Sequence, residues 1–371
     1  MALIMLSMLA GCGKKPSSST GTNDIIPPPV QGGINADAPI QKLDYNPLTG
    51  GDLPAGYEAG MRPVAIMVNN AAVALPQRGI ASADTIFEMV TEGGVTRLMA
   101  MYSFRDAIPQ VGPVRSARDQ HLQMALPLNA IYVHIGSSIY ASNLLNEYHY
   151  QDVDGMYLGS TSFVFDTERS KTRSNEHCWY TDATLIRGGI DKNAVPLTGA
   201  FGPLFSFVGK AEPVRIPVGG DALDAKWQYS ASSEVEFVYN PETKMYLKSA
   251  YAAPHIDELT GEQLSFTNVL LLVDDVSLKA DGQCAQFAML GGKGFYFTNG
   301  KYEEITWKKG NADAPLKLLN IDGSEVKINI GKSYIGVLGS TQMETFVPNV
   351  VAPPPEVVPP EPAPTEPVAT P

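Results

Sequence analysis

Positive charge is what this sequence is short of. Its 27 Lys and Arg stand against 39 Asp and Glu, a net charge of -12 over 371 residues. Binding to nucleic acid depends on neutralising phosphates with basic side chains, so no nucleic-acid partner is predicted. Cysteine is scarcer still, with only Cys12, Cys178 and Cys284. A chain with so few relies on a hydrophobic core, and nothing in the count forces a disulfide between Cys178 and Cys284. The five histidines are scattered, with neither His-x-x-x-His nor Cys-x-x-Cys spacing, so no metal site is predicted. There is no Gly-x-Ser-x-Gly elbow and no P-loop, and the "GGKGF" cluster at 291–295 lacks a strand–loop–helix context. No cofactor is expected. Long apolar runs are missing at the start of the chain as well: Ala2 to Leu9 falls far below the ~20 residues that cross a bilayer.

What that short run does contain is an ending, Leu9-Ala10-Gly11-Cys12, that matches the bacterial lipobox. Residues 1–11 therefore read as a lipoprotein signal peptide, with Cys12 as the lipidation site carrying a diacylglycerol. At ~0.8 kcal/mol per buried methylene, two acyl chains suffice for stable anchoring. The predicted location is extracytoplasmic, on the outer face of the bacterial cytoplasmic membrane. No Lys or Arg precedes the apolar run, where a signal normally carries them. The natural start is thus expected a few basic residues further upstream.

Residues 12–45 are rich in Ser, Thr, Gly and Pro ("KKPSSSTGTNDIIPPPVQGG") and read as a disordered tether. Residues 346–371 ("VPNVVAPPPEVVPPEPAPTEPVATP") read as a Pro-rich disordered tail, prone to polyproline II. Between them the length suits two domains, 46–195 and 196–345. The first alternates strand and helix patterns. "PVAIMV" (63–68) reads as a doubly covered strand. Ser82 reads as the cap of a helix "ADTIFEMVTE" stopped by Gly93-Gly94. "TRLMAMYSF" is a strand, "SARDQHLQMAL" a helix, "AIYVHIG" a strand and "SSIYASNLLNEYHY" a helix. That order predicts an α/β domain with a largely parallel sheet and crossover helices. The second domain is mainly β, as in "EVEFVYNPETKMYLKS" and the hairpin "GKGFYFTNGKYEEITWKK" turning at Asn299-Gly300.

In such a sheet, ligand sites collect at the carboxyl edge of the strands. "QVGPVRSARDQH" lies there, with Ser116 as a candidate N-cap and Arg115 and Arg118 three residues apart. Cations at the positive end of a helix need a negative answer, either a bound anion or an internal carboxylate from Glu88, Glu92 or Asp119. Other strand ends bring Asn69, His134 and Ser137 to the same edge. His134 reads as a proton carrier or a structural donor, and Glu88 with Glu92 as a carboxylate pair one helical turn apart or a solvated face. The loop "RSKTRSNEHCWYT" adds His177 and, in Trp179, a platform for a sugar ring or peptide. Cys178, next to His177 in sequence, is badly placed to face it as a nucleophile.

Taken together, "RPVAIMVNN", "ADTIFEMVTEGGVTRLMAMY", "GPVRSARDQHLQMAL", "AIYVHIGSS", "EHCWYT" and "YNPETKMYLKS…PHIDELTGEQLSFTNVLLL" resemble the YerB-like bacterial lipoprotein family over roughly residues 47 to 340. The resemblance implies an exported, membrane-anchored envelope protein in two successive domains, and it carries no catalytic roles with it. The family pattern near 176–178 is Pro-His-Asn, whereas this chain has Glu176-His177-Cys178, which keeps His177 and undercuts Cys178 as a nucleophile. The expected function is a binding module for an anionic or glycan envelope ligand, such as a cell-wall glycopolymer, or for an envelope protein. The alternative is a hydrolase or transferase acting on wall polymer or its precursors.

Overall fold

The computed structural model describes residues 38–350. The signal peptide, Cys12, most of the tether and the Pro-rich stretch beyond Val350 lie outside the described residues. Strands and helices alternate in the first half, and the second half is nearly all strand.

The central sheet has eleven strands and draws on both halves. From one edge it runs Lys317–Leu319, Lys301–Lys308, Gly291–Thr298, Asn268–Asp274, Ser333–Gly339, Thr85–Val90, Thr96–Tyr102, Val64–Asn69, Ile131–His134 and Val153–Asp154. A short strand at Gly220–Asp221 pairs with Lys301–Lys308. At the seam Ser333–Gly339 lies parallel both to Asn268–Asp274 and to Thr85–Val90. The first half supplies a parallel trio, Val64–Asn69, Ile131–His134 and Val153–Asp154, with crossover helices. It also supplies Thr85–Val90, which runs the same way as the trio, and Thr96–Tyr102, the one strand it adds to this sheet that runs antiparallel to its neighbours, so its part of the sheet is largely parallel.

The stretch "ADTIFEMVTE", expected as a helix capped by Ser82, is instead the strand Thr85–Val90. Ile86 turns to one face, while Phe87 and Met89 turn to the other. A strand covered on both sides loses the polar–apolar alternation, and its apolar residues then fall at helix-like spacings too. Gly93, at φ 65°, and Gly94, at φ 76°, turn the chain into the next strand instead of ending a helix. Elsewhere the expected elements form. The helix Asp119–Ala125 is shorter than "SARDQHLQMAL" suggested, and Ser138 caps Ile139–Glu147 by accepting from the Ala141 N–H.

Helices, with Leu122, Met124 and Leu145, cover one face of the sheet around Met67, Phe87 and Ile335. A five-stranded antiparallel sheet built on Asp224–Ser230, Ser233–Asn240 and Met245–Ala250 covers part of the other, bringing Trp227, Phe237 and Tyr246 onto Leu271 and Tyr334. Among the described residues the two cysteines, Cys178 and Cys284, are buried and free.

Between the two sheets five side chains, each no more than 1% exposed, close a ring of hydrogen bonds. Lys248 Nζ stands 3.2 Å from Glu88 Oε2 and donates to His255 Nδ1 at 3.0 Å. His255 Nε2 donates to Gln77 Oε1 at 2.8 Å, and Gln77 Nε2 donates to Asn70 Oδ1 at 3.0 Å. Asn70 Nδ2 then donates to Glu88 Oε1 at 3.0 Å. Tyr334 and Thr96 complete the carboxylate's shell at 2.9 and 2.8 Å. Three ring members come from the first half and two from the second.

Burial and the Lys248 ammonium hold His255 well below its ordinary pKa. Burial also pushes His121 down to about 3, and its Nδ1 has no partner on which to place a proton. In unfolded chain both titrate near 6.5, so their share of stability is present above that pH and is lost as pH falls. His134 is shifted upward, against burial, by Asp152; its share is complete below 6.5 and does not offset the loss. The unfolding free energy in urea is expected to drop by roughly 1.5 kcal/mol for each of the two neutral histidines between pH 6.5 and 5. An unchanged denaturation midpoint over that range would refute it.

Candidate functional site

The parallel strands Val64–Asn69 and Ile131–His134 end side by side. The segment 111–118 is laced between their ends. Asn69 N–H donates to Pro113 O at 2.8 Å and Arg115 N–H to Met67 O at 2.9 Å. Ile135 N–H donates to Arg115 O at 3.2 Å and Ala117 N–H to Gly136 O at 2.9 Å. Two rows of backbone bonds therefore fix where the side chains of 115 to 118 leave the edge.

Arg115 and Arg118 leave it in different directions. Arg118 donates to both oxygens of Glu92, through Nε and, at 2.8 Å, Nη2. Its Nη1 donates to Ala117 O at 2.7 Å. Burial raises the Glu92 pKa, but Arg118 and Arg97 outweigh it and hold the carboxyl at about 2. Arg97 is itself pushed down to about 9 by burial and by the neighbouring Arg118 charge. Arg118 also occupies the N-cap position expected for Ser116, and Asp119 in the first turn is bound at 2.8 Å by Lys279. The positive end of this seven-residue helix is answered internally, so the paired-arginine anion mouth does not form.

Arg115 is different. Among the described residues its guanidinium makes one hydrogen bond, from Nη1 to Glu176 Oε2 at 2.8 Å, while its Nε is buried without a partner. Its side chain is 26% exposed against 11% for Arg118. It lines a cleft of about 600 Å³ together with Ser116, Ser137, Tyr157, Glu176 and Trp179. Glu176 Oε1 lies 3.5 Å from His177 Nε2, and His177 Nδ1 lies 2.7 Å from Asn69 Nδ2. Burial depresses the His177 pKa, Glu176 acting against it, so the ring is neutral at pH 7 and Nδ1 accepts from Asn69. The Asn69 backbone carbonyl accepts from Gln77 Nε2 at 2.9 Å, which joins the cleft to the buried ring.

The edge thus gathers Asn69, Arg115, Ser116, Ser137 and His177. It does not gather Glu88, Glu92 or His134. Glu88 sits in the ring between the sheets, and Glu92 is held by Arg118 and Arg97, so they form no carboxylate pair. In place of the expected helix, Glu88 lies in the strand Thr85–Val90 and Glu92 in the turn beyond it, so the two are well separated along the chain direction. His134 has no exposed surface and both nitrogens are engaged, Nδ1 with Gly136 O at 2.9 Å and Nε2 with Asp152 Oδ2 at 3.0 Å. It has no nitrogen left for a substrate. Cys178 is buried, its Sγ 3.4 Å from Ser174 O, and burial raises its pKa.

Two lining features escape a sequence reading. Tyr157, 85% exposed, and Met156, 69% exposed, stand on the four-residue helix Gly155–Leu158, too short to show a period. Glu176 is separated from Arg115 by 61 residues and meets it only because Thr181 and Trp179 bond back to Val111 and Val114. A second concavity, of about 660 Å³, is lined by Tyr45, Phe205, Phe207, Leu318 and Val326, with Lys210 already paired to Asp52. Among the described residues there is no group of three or more His, Cys, Asp or Glu able to hold a metal, and no helix long and apolar enough to cross a membrane.

Comparison with known proteins gives two family matches. Residues 48–196 match "Protein of unknown function (DUF3048) N-terminal domain", and residues 225–335 match the C-terminal domain of the same description. A Bacillus subtilis protein named "Putative lipoprotein YerB" is 28% identical over 283 residues, 75% of this chain and 81% of that protein. The crystal structure of YerB from Bacillus subtilis superposes with a TM-score of 0.70 at 24% identity, covering 82% of this chain and 99% of the other. The solved structure shares the fold.

Proposed function

We propose, from the premise that this chain belongs to the DUF3048 family, that it is a lipid-anchored envelope protein acting as a binding module through the Arg115 cleft. The name of the Bacillus subtilis relative and the lipobox at Leu9–Cys12 support the anchor. One diacylglycerol on Cys12 would hold the chain at the outer face of the cytoplasmic membrane, with two domains near 46–195 and 196–345. The observation that carries the binding reading is the contrast between neighbouring arginines, Arg118 fully paired and Arg115 with one exposed partner in an open cleft. Charge-assisted bonds from guanidinium to carboxylate or phosphate are among the stronger polar contacts available. Ser116 and Ser137 add hydroxyls, and His177 orients Glu176. Binding is favoured over wall-polymer hydrolysis or transfer because both histidines near the edge have their ring nitrogens engaged, His134 by Gly136 O and Asp152 and His177 by Asn69 and Glu176, which leaves neither placed to move a proton to a ligand.

Cell fractionation tests the anchor: Cys12→Ala should move the chain from the membrane to the medium and abolish fatty-acid labelling. Retention on the membrane would sink that part. Sedimentation with purified envelope glycopolymer tests the cleft. Arg115→Met should weaken binding by about tenfold, the scale of one charge-assisted contact. Arg118→Met should lower thermal stability instead, by loosening Glu92. Equal effects of the two substitutions on binding would count against the cleft.

A further inference from the structure

The cleft holds more than a cation, and its remaining walls narrow the ligand. Trp179 and Tyr180 pair as a short strand with Val164–Phe165, and the Phe165 ring packs on Trp179 with centroids 4.9 Å apart. The indole is thereby fixed as part of the cleft wall, still partly exposed. On the rim stands the nearly bare Tyr157. Large apolar side chains scattered singly over a surface need no explanation, but a tyrosine and a methionine beside a fixed indole in one concavity make a patch of the kind that marks ligand sites. Between the aromatic side chains lie groups of opposite hydrogen-bonding sense. Arg115 only donates, Glu176 only accepts, and Ser116 and Ser137 do both. The volume falls within the ~300–1,000 Å³ typical of small-molecule sites.

Deepening the cleft reading, on which this rests, we infer that the ligand is a pyranose carrying a negatively charged substituent. Its apolar C–H face would lie against Trp179 and Tyr157, its hydroxyls on Glu176, Ser116 and Ser137, and its carboxylate or phosphate on Arg115. Each of these groups answers one part of such a ligand, while Asp154, which also lines the cleft, is bound to the Gly136 and Met156 N–H groups. A bare inorganic anion leaves the aromatic wall unused. A neutral sugar leaves the Arg115 donors unused. A free apolar molecule would have to desolvate Arg115 and Glu176 without replacing their bonds to water, which is unfavourable.

The molecule carries its own reporter. Of its three tryptophans, Trp227 and Trp307 are at most 1% exposed, so Trp179 is the one a collisional quencher reaches. The test uses residues 12–371 with Cys12→Ser to prevent lipidation. Acrylamide quenching is followed while glucuronic acid, glucose 1-phosphate, glucose or inorganic phosphate is added. The two acidic sugars should protect Trp179 at concentrations at least tenfold below glucose or inorganic phosphate, and their order tells a carboxylate ligand from a phosphate one. Arg115→Met should abolish the preference for charged over neutral sugar while leaving the quenching of the free protein unchanged. Tyr157→Ala, a change at an exposed side chain that leaves folding intact, should weaken acidic-sugar binding about fivefold. Inorganic phosphate protecting as well as glucose 1-phosphate overturns the sugar inference and leaves the cleft reading standing. So does the lack of protection by any probe when Arg115→Met still weakens glycopolymer binding. If neither protection nor an Arg115 effect is seen, both readings fall.

Discussion

Replacing Lys248 with methionine lowers the unfolding free energy by about 3–5 kcal/mol, the range found when one partner of a buried ion pair is removed. The ammonium is fully enclosed, and burial pulls its pKa down against the opposing pull of Glu88. Without it Glu88 keeps Asn70, Thr96 and Tyr334 but loses its countercharge, and His255 Nδ1 loses its donor. A domain's whole margin is about 5–15 kcal/mol, so the single substitution removes a large part of it. Adding Glu88→Gln in the same chain should recover part of the loss, because a neutral amide needs no countercharge. Urea denaturation of the single and double variants measures both effects. A loss below about 1 kcal/mol for Lys248→Met would show that the ring is not held by its charges.

Trp227→Ala is expected to cost about 3–5 kcal/mol, as large-to-small changes of buried aromatics do. Trp227 has no exposed surface and stacks on Phe237 at 5.1 Å, with Tyr229, Tyr334 and Phe346 each within 6.4 Å. Those neighbours come from both sheets, so the cavity would open between layers and not inside one. The indole N–H has no hydrogen-bond partner, which makes Trp227→Phe informative. Phenylalanine keeps most of the ring contact and removes the buried donor, so it should cost less than half as much as alanine. Equal losses for the two variants in thermal denaturation would contradict a packing origin.

The local elements were readable where one period dominates. "AIYVHIG", "SSIYASNLLNEYHY" and the Asn299-Gly300 hairpin all form as their patterns require. Thr85–Val90 was not readable, because its two faces are covered by different layers and erase the alternation that marks a strand. That one error carried Glu88 and Glu92 to the wrong place. In a helix they would share a side; in the strand Glu88 points between the sheets and Glu92 falls in the turn beyond. The carboxyl edge was legible from topology alone, and Asn69, Arg115, Ser116, Ser137 and His177 meet there. Glu92, one of the carboxylates expected to answer the arginines, does pair with Arg118, but Glu176 was not legible as the partner of Arg115, since it comes from 61 residues along the chain. Nor was the merging of both halves into one sheet, which depends on a pairing of Thr85 with Ser333 that no local pattern encodes.

Because Ser333–Gly339 occupies the middle of the sheet yet follows every other described strand in sequence, synthesis delivers this keystone after both of its neighbours. Until it arrives, Thr85–Val90 and Asn268–Asp274 each present a bare flank of unpaired amides and carbonyls, the kind of edge that recruits other chains. The sheet that joins the two halves is therefore complete only when the last of the described strands is in place.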